Sequence, residues 1–144
     1  MLQQLSGILT VNNYFSLFKI VRQAESFQVH GIPLKGKLTC GENIADLGGV
    51  RLALRALSQL PSGGGAGRIN GFTPQQRLFL AWAQVWRGNV TEERAKQLIT
   101  IDPHGPGELR CNGTLSNIEE FFAAFTISPA CKMFRPAAER VQVW

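Results

Sequence analysis

The chain is poor in the residues that usually build self-contained metal and thiol centres. It has two histidines, His30 and His104, and neither has a second histidine four residues away. Its three cysteines, Cys40, Cys111 and Cys131, form no CxxC pair and lie near no histidine at ligand spacing. A cysteine-rich zinc module is therefore excluded, and an odd count gives no basis for a disulfide framework. The three thiols read as small buried apolar groups.

Charge of one sign is also scarce in any one place. Fifteen Lys and Arg against ten Asp and Glu give a net charge of +5, but the basic residues are scattered singly from Lys19 to Arg140. A nucleic-acid face needs those charges gathered on one surface, so no nucleic-acid partner is expected. A long apolar run is missing too. In MLQQLSGILTVNNYFSLFKIV, no Lys or Arg precedes the apolar stretch, Asn12 and Asn13 interrupt it, and no small-residue cleavage site follows. Neither a signal peptide nor a membrane span is expected there, and the compartment stays unknown. The default is a buried helix or strand of the fold; the alternative is a segment belonging to no complete element.

What is present is enough for one domain: 144 residues with 44% hydrophobic content. Residues 61–71, beginning PSGGGAG and closing on the turn pair Asn70 and Gly71, read as a Gly-rich linker between two helical blocks. Thr73, Pro74 and Gln76 make a capping box that opens a helix with Leu78, Trp82, Val85 and Trp86 on one stripe and Gly88 as its stop. Thr91 caps another, with Glu92 and Glu93 in its first turn and an apolar face of Ala95, Leu98 and Ile99. Ser116 and Glu119 form a second capping box before Phe121, Phe122 and Phe125. A fourth helix runs from about Glu42 to Leu57, with Ile44, Leu47, Leu54 and Leu57 on its buried face. Strand signal is confined to Phe27–His30 and Val141–Trp144. The expected class is mainly α, with few or no strands.

Two stretches carry chemistry. In GENIADLGG, Glu42 and Asp46 stand four apart, which puts both carboxylates on one helix face. Either a cation lies opposite them, or both point into water. Gly48 and Gly49 follow, and paired glycines inside a helix suggest a close backbone approach there. In DPHGPGELRCNGTLSN, residues 102–117, two prolines stiffen a loop that holds His104 and Arg110 six residues apart. Such a loop presents a titratable ring and a guanidinium to a carbonyl or carboxylate, or it is a surface turn with a solvated histidine.

The order KGKLTCGENIADLGGVRLALRAL, GFTPQQRLFLAWAQVWRG, DPHGPGELRCNGTLSNIEEFFAAF and a terminal RVQVW resembles the C-terminal part of the neprilysin family of zinc endopeptidases. Residues 24–144 carry the resemblance, as the C-terminal portion of a zincin-like catalytic domain; residues 1–23 fall outside it. The resemblance implies zinc as cofactor, Glu42 as a zinc ligand, and Asp46 as the acid that orients a ligand histidine or donates a proton. It also implies His104 as stabiliser of the tetrahedral oxyanion and Arg110 as the grip on a substrate carbonyl. The implied reaction is hydrolysis of oligopeptides with an apolar residue after the scissile bond.

The family's HExxH helix, which supplies two zinc ligands and the general base, does not occur in these 144 residues. A makeshift site of His30, His104 and Glu42 has no support in the spacing. The chain by itself is therefore expected to be inactive. Its expected partners are peptide substrates of a parent enzyme and the remainder of the catalytic domain, or a second copy through the exposed cleft. The alternative is a non-catalytic remnant that binds peptides or a partner protein.

Overall fold

The fold is seen in a computed structural model, which describes the backbone of residues 2–61 and 67–143 and side chains from residue 14 onward. Helix α1 spans Leu2–Glu25, a two-residue hairpin follows as β1 (Gln28–Val29) and β2 (Ile32–Pro33), and α2 spans Gly36–Gln59. Then come α3 (Pro74–Val85), α4 (Glu92–Ile101), a π-helical turn at Leu109–Gly113 and α5 (Glu119–Phe125). The mainly helical class is as expected. One helix, α1, runs across the boundary drawn at residue 23.

Helix α2 starts six residues before Glu42 and has no side-chain cap, since Lys35 at the N-cap position forms no capping hydrogen bond. No local signal marks that start. Packing does: a methyl at Gly36 would collide with the Val21 carbonyl, so the bare glycine lets the first turn of α2 lie against α1. The close approach expected at the glycine pair is absent at Gly49, where an added Cβ would meet open space. Gly48 is buried.

Helix α3 opens on the expected capping box. Gln76 N–H donates to the Thr73 hydroxyl, and Thr73 N–H donates to the Gln76 side chain. Its innermost residue is Phe79, 1% exposed, while Val85 is left 68% exposed. The helix ends at Val85, three residues before the expected stop at Gly88. Thr91 caps α4 by accepting from Arg94 N–H, as read. The second capping box does not form. Ser116 turns its hydroxyl back to the Gly113 carbonyl, and α5 begins after Ile118 in extended conformation without a side-chain cap.

The main core joins α1, α2, α3, α5 and the C-terminal tail through Ile20, Leu47, Phe79, Ile118, Phe121 and Val141. Phe79 meets Phe121 edge to face at 5.4 Å, which adds about 1 kcal/mol beyond area burial. The tail is not a strand over residues 141–143, and Trp144 lies outside the described residues. It is held as irregular chain: Val141 N–H donates to the buried Asn117 side chain, and Ser16 of α1 donates to the Gln142 carbonyl. Asn117 also donates to Gln23 of α1, whose amide donates to Gly113 and Ser116, so the buried polar groups satisfy one another. Of the three cysteines, Cys40 and Cys111 are half-buried, and burial pushes both thiols up; Cys131 is exposed, against expectation. Part of the Gly-rich linker, residues 62–66, lies outside the described residues.

Candidate functional site

Helix α2 and the loop after α4 meet face to face. Asp46, whose side chain is 6% exposed, receives a two-pronged grip from Arg110: Nε donates to Oδ2 and Nη2 to Oδ1, both at 2.6 Å. Nη2 also reaches Glu42 Oε2 at 3.3 Å. A cation thus lies opposite the two acids. Asp46 raises the Arg110 pKa through these hydrogen bonds, and burial works against the rise. Parallel charge-assisted bonds of this kind combine strength with fixed geometry.

Arg110 is held from three further sides. Its guanidinium carbon lies 3.9 Å above the Trp86 ring, a cation–π contact. Trp82 meets Trp86 edge to face at 5.3 Å and donates its indole N–H to the Arg110 carbonyl at 3.3 Å. The π-helical turn anchors it through Leu109, 3% exposed in a second small core with Ala24 and Leu34. Glycines make room for that anchor, since a Cβ at Gly105 or Gly113 would come within 2.7 or 2.6 Å of the Leu109 side chain. Gly107 lets the loop rest on the carbonyl of Trp86, which a methyl would strike. The loop glycines serve packing more than side-chain freedom.

His104 is oriented by its own neighbour. Asp102 accepts from His104 N–H at 2.9 Å, and its same oxygen lies 2.7 Å from His104 Nδ1. The backbone hydrogen bond, followed by the side-chain one, holds the Asp102 carboxyl below the ordinary range. With Nδ1 engaged, Nε2 is the free ring nitrogen, 3.4 Å from Glu42 Oε2. Beside it opens a cleft of about 630 Å³ lined by His104, Arg110 and Trp86 together with apolar Val85, Leu98 and Ile99. Neither Glu42 nor Asp46 is among its lining residues.

The four residues singled out in the sequence are therefore brought into one cluster. Two contributors were missed. Asp102 stands two residues before His104, a spacing that forms Asx turns, and Trp86 stands four residues after Trp82, but both tryptophans were placed only as apolar stripe. His30 also lines the cleft, on the hairpin side, with its ring 3.8 Å from Glu92 and no contact with His104 or Glu42 among the ion pairs of the described residues.

Against known proteins, the sequence profile of peptidase family M13 matches residues 10–141. The chain belongs to that family. It is 38% identical over 128 residues to human endothelin-converting enzyme 1, covering 87% of this chain and 16% of that one. It is 33% identical over 112 residues to the neutral endopeptidase of Lactococcus lactis subsp. lactis, covering 78% and 16%. The fold is similar to that of the zinc metalloprotease Zmp1 of Mycobacterium tuberculosis, solved in complex with an inhibitor. That match has a TM-score of 0.82 and 32% identity, over 92% of this chain and 22% of that one. The chain thus spans about a sixth of the length of these curated relatives.

Family membership makes zinc the metal to expect, and the residues present do not make a complete site for it. A catalytic zinc takes three protein ligands and one water. Among the described residues, no group of three or more His, Cys, Asp or Glu side chains could hold a metal ion. Glu42 offers one carboxylate, and Arg110 and His104 already share its Oε2. Among the described residues, no helix is long and apolar enough to cross a membrane.

Proposed function

We propose that this chain is the substrate-gripping and transition-state side of a zinc-dependent endopeptidase that cleaves oligopeptides, with Glu42 as the ligand it contributes to the metal. The observation that supports this best is that His104 and Arg110 line one cleft with apolar walls. Arg110 uses Nε and Nη2 on the two acids, while Nη1 has no partner among the described residues. Nη1 is the nitrogen left to donate to a substrate backbone carbonyl. The Asp46 fork and the Trp86 ring fix its direction, so little side-chain entropy is lost when the peptide binds.

His104 has the complementary task. The ring acts in its doubly protonated form, Nδ1–H donating to Asp102 and Nε2–H donating to the oxygen that gains negative charge as the scissile carbonyl becomes tetrahedral. A preorganised donor at such a position is typically worth about 3 kcal/mol of barrier. Val85, Leu98 and Ile99 provide the apolar wall for the side chain after the scissile bond. Asp46, with both oxygens engaged by Arg110, acts here chiefly as the post that steadies the arginine.

The general base and two further metal ligands are not among these 144 residues, so the chain by itself is silent. The test has two arms. Incubated with excess zinc and a quenched oligopeptide, the isolated chain gives no turnover; the longer gene product carrying an HExxH helix cleaves it, and Glu42→Gln there abolishes cleavage. Turnover by the isolated chain, or full activity of Glu42→Gln, overturns the proposal.

A second reading, a peptide- or partner-binding remnant, has its own support. Tyr14, Phe15 and Phe18 of α1 and Leu52 of α2 are 59–70% exposed. Equilibrium sedimentation separates it: a monomer at high concentration that retains no peptide counts against binding as the chain's own role.

A further inference from the structure

A second cavity of about 410 Å³ opens between the end of α1, the start of the π-helical turn and the C-terminal segment. Its wall carries Arg135 and Lys132 and also Glu108 and Glu139. Lys132, Glu108 and Glu139 are exposed, and Arg135 is half-buried. Here, among the described residues, none of the four makes an ion pair.

Arg135 is the informative member. It is half-buried, and the only hydrogen bond of its side chain among the described residues is Nε to the Glu139 carbonyl at 3.0 Å. Burial pushes its pKa down, and the Glu139 charge offsets part of that. A guanidinium taken partly out of water needs a carboxylate or similar anion against its remaining N–H groups. Phe27 and Phe134 supply an apolar floor between the charges. A partner that answers all three features carries a carboxylate, an ammonium and an apolar side chain.

We propose that this cavity binds a free apolar α-amino acid. The carboxylate rests on Arg135 and Lys132, the ammonium on Glu108 and Glu139, and the side chain on Phe27 and Phe134. The site is separate from the cleft and independent of the proposed proteolysis. Glu108 connects the two, since it also borders the cleft. An occupant would therefore bear on the loop that carries His104 and Arg110.

L-leucine is the probe, titrated into the full 144-residue chain by calorimetry and by amide chemical shifts. The expected result is saturable binding with perturbed amides at Phe27 and Lys132–Glu139, and not at Val85–Val90. Leucinamide, N-acetyl-leucine and glycine each lack one of the three features and bind at least about tenfold more weakly. Arg135→Gln weakens leucine by about tenfold or more; if that variant does not fold, the ligand series alone decides. Equal binding of all four compounds, unchanged binding by a folded Arg135→Gln, perturbation confined to Val85–Val90, or no binding of leucine each overturns the proposal.

Discussion

Two arms meet at the candidate site, and they differ in kind. The Asp46–Arg110 arm is closed: two 2.6 Å hydrogen bonds between side chains only 6% and 12% exposed. The Glu42–His104 arm is open: a 3.4 Å contact between side chains 37% and 50% exposed. Closed pairs set geometry, whereas open groups remain available to a ligand. The structure thus separates a buried, two-pronged ion pair from an exposed contact within one cluster of four residues.

Breaking the closed arm has the largest effect. Asp46→Ala leaves Arg110 buried without its partner and costs about 3–5 kcal/mol of stability, measured by urea unfolding. Arg110→Met costs a similar amount, and the double variant costs clearly less than the sum, because the two changes remove one interaction. Additive losses would mean that the fork is not what stabilises this region. Trp86→Leu comes next, at about 2 kcal/mol, combining the cation–π contact with partial loss of ring packing. Thr73→Ala, which removes a cap outside the site, costs about 1 kcal/mol and calibrates the scale.

Glu42→Gln, in the open arm, changes stability by less than about 1 kcal/mol, as for exposed ion pairs. A loss as large as that of Asp46→Ala would erase the distinction between the arms. The smallest effect is in acid. The Asp102 carboxyl is held below its ordinary value, so its grip on His104 is fully present above the unfolded aspartate pKa of about 3.9 and fades as pH falls through the lower folded value. The Asp102 carboxyl carbon shift, followed in an acid titration, should move only below the ordinary aspartate range. A midpoint in that range or above it would mean that the two His104 hydrogen bonds do not hold the carboxylate.

What the sequence disclosed follows the same division between local and distant causes. The Thr73 and Thr91 caps were legible because their partners lie three residues away. Helix α2 was legible in its middle but not at its start, which depends on Gly36 meeting Val21 of another helix. The pairing of Asp46 with Arg110 spans 64 residues, so the sequence left a cation or water as open alternatives. Ser116 looked like a cap because its spacing to Glu119 fits one, yet its hydroxyl is engaged by Gln23 and Gly113, a competition visible only after folding. The four positions matching the family pattern are brought into one cluster, a meeting across 64 residues that only the fold shows.

By the proposed function, this chain holds one arm of a metal site, with Glu42 as its lone metal ligand. Titrating zinc into the purified 144-residue chain tests it most directly. The expected isotherm is weak and unsaturated, and Glu42→Gln scarcely alters it; a tight one-to-one isotherm abolished by Glu42→Gln would show a complete site in this chain and overturn that reading.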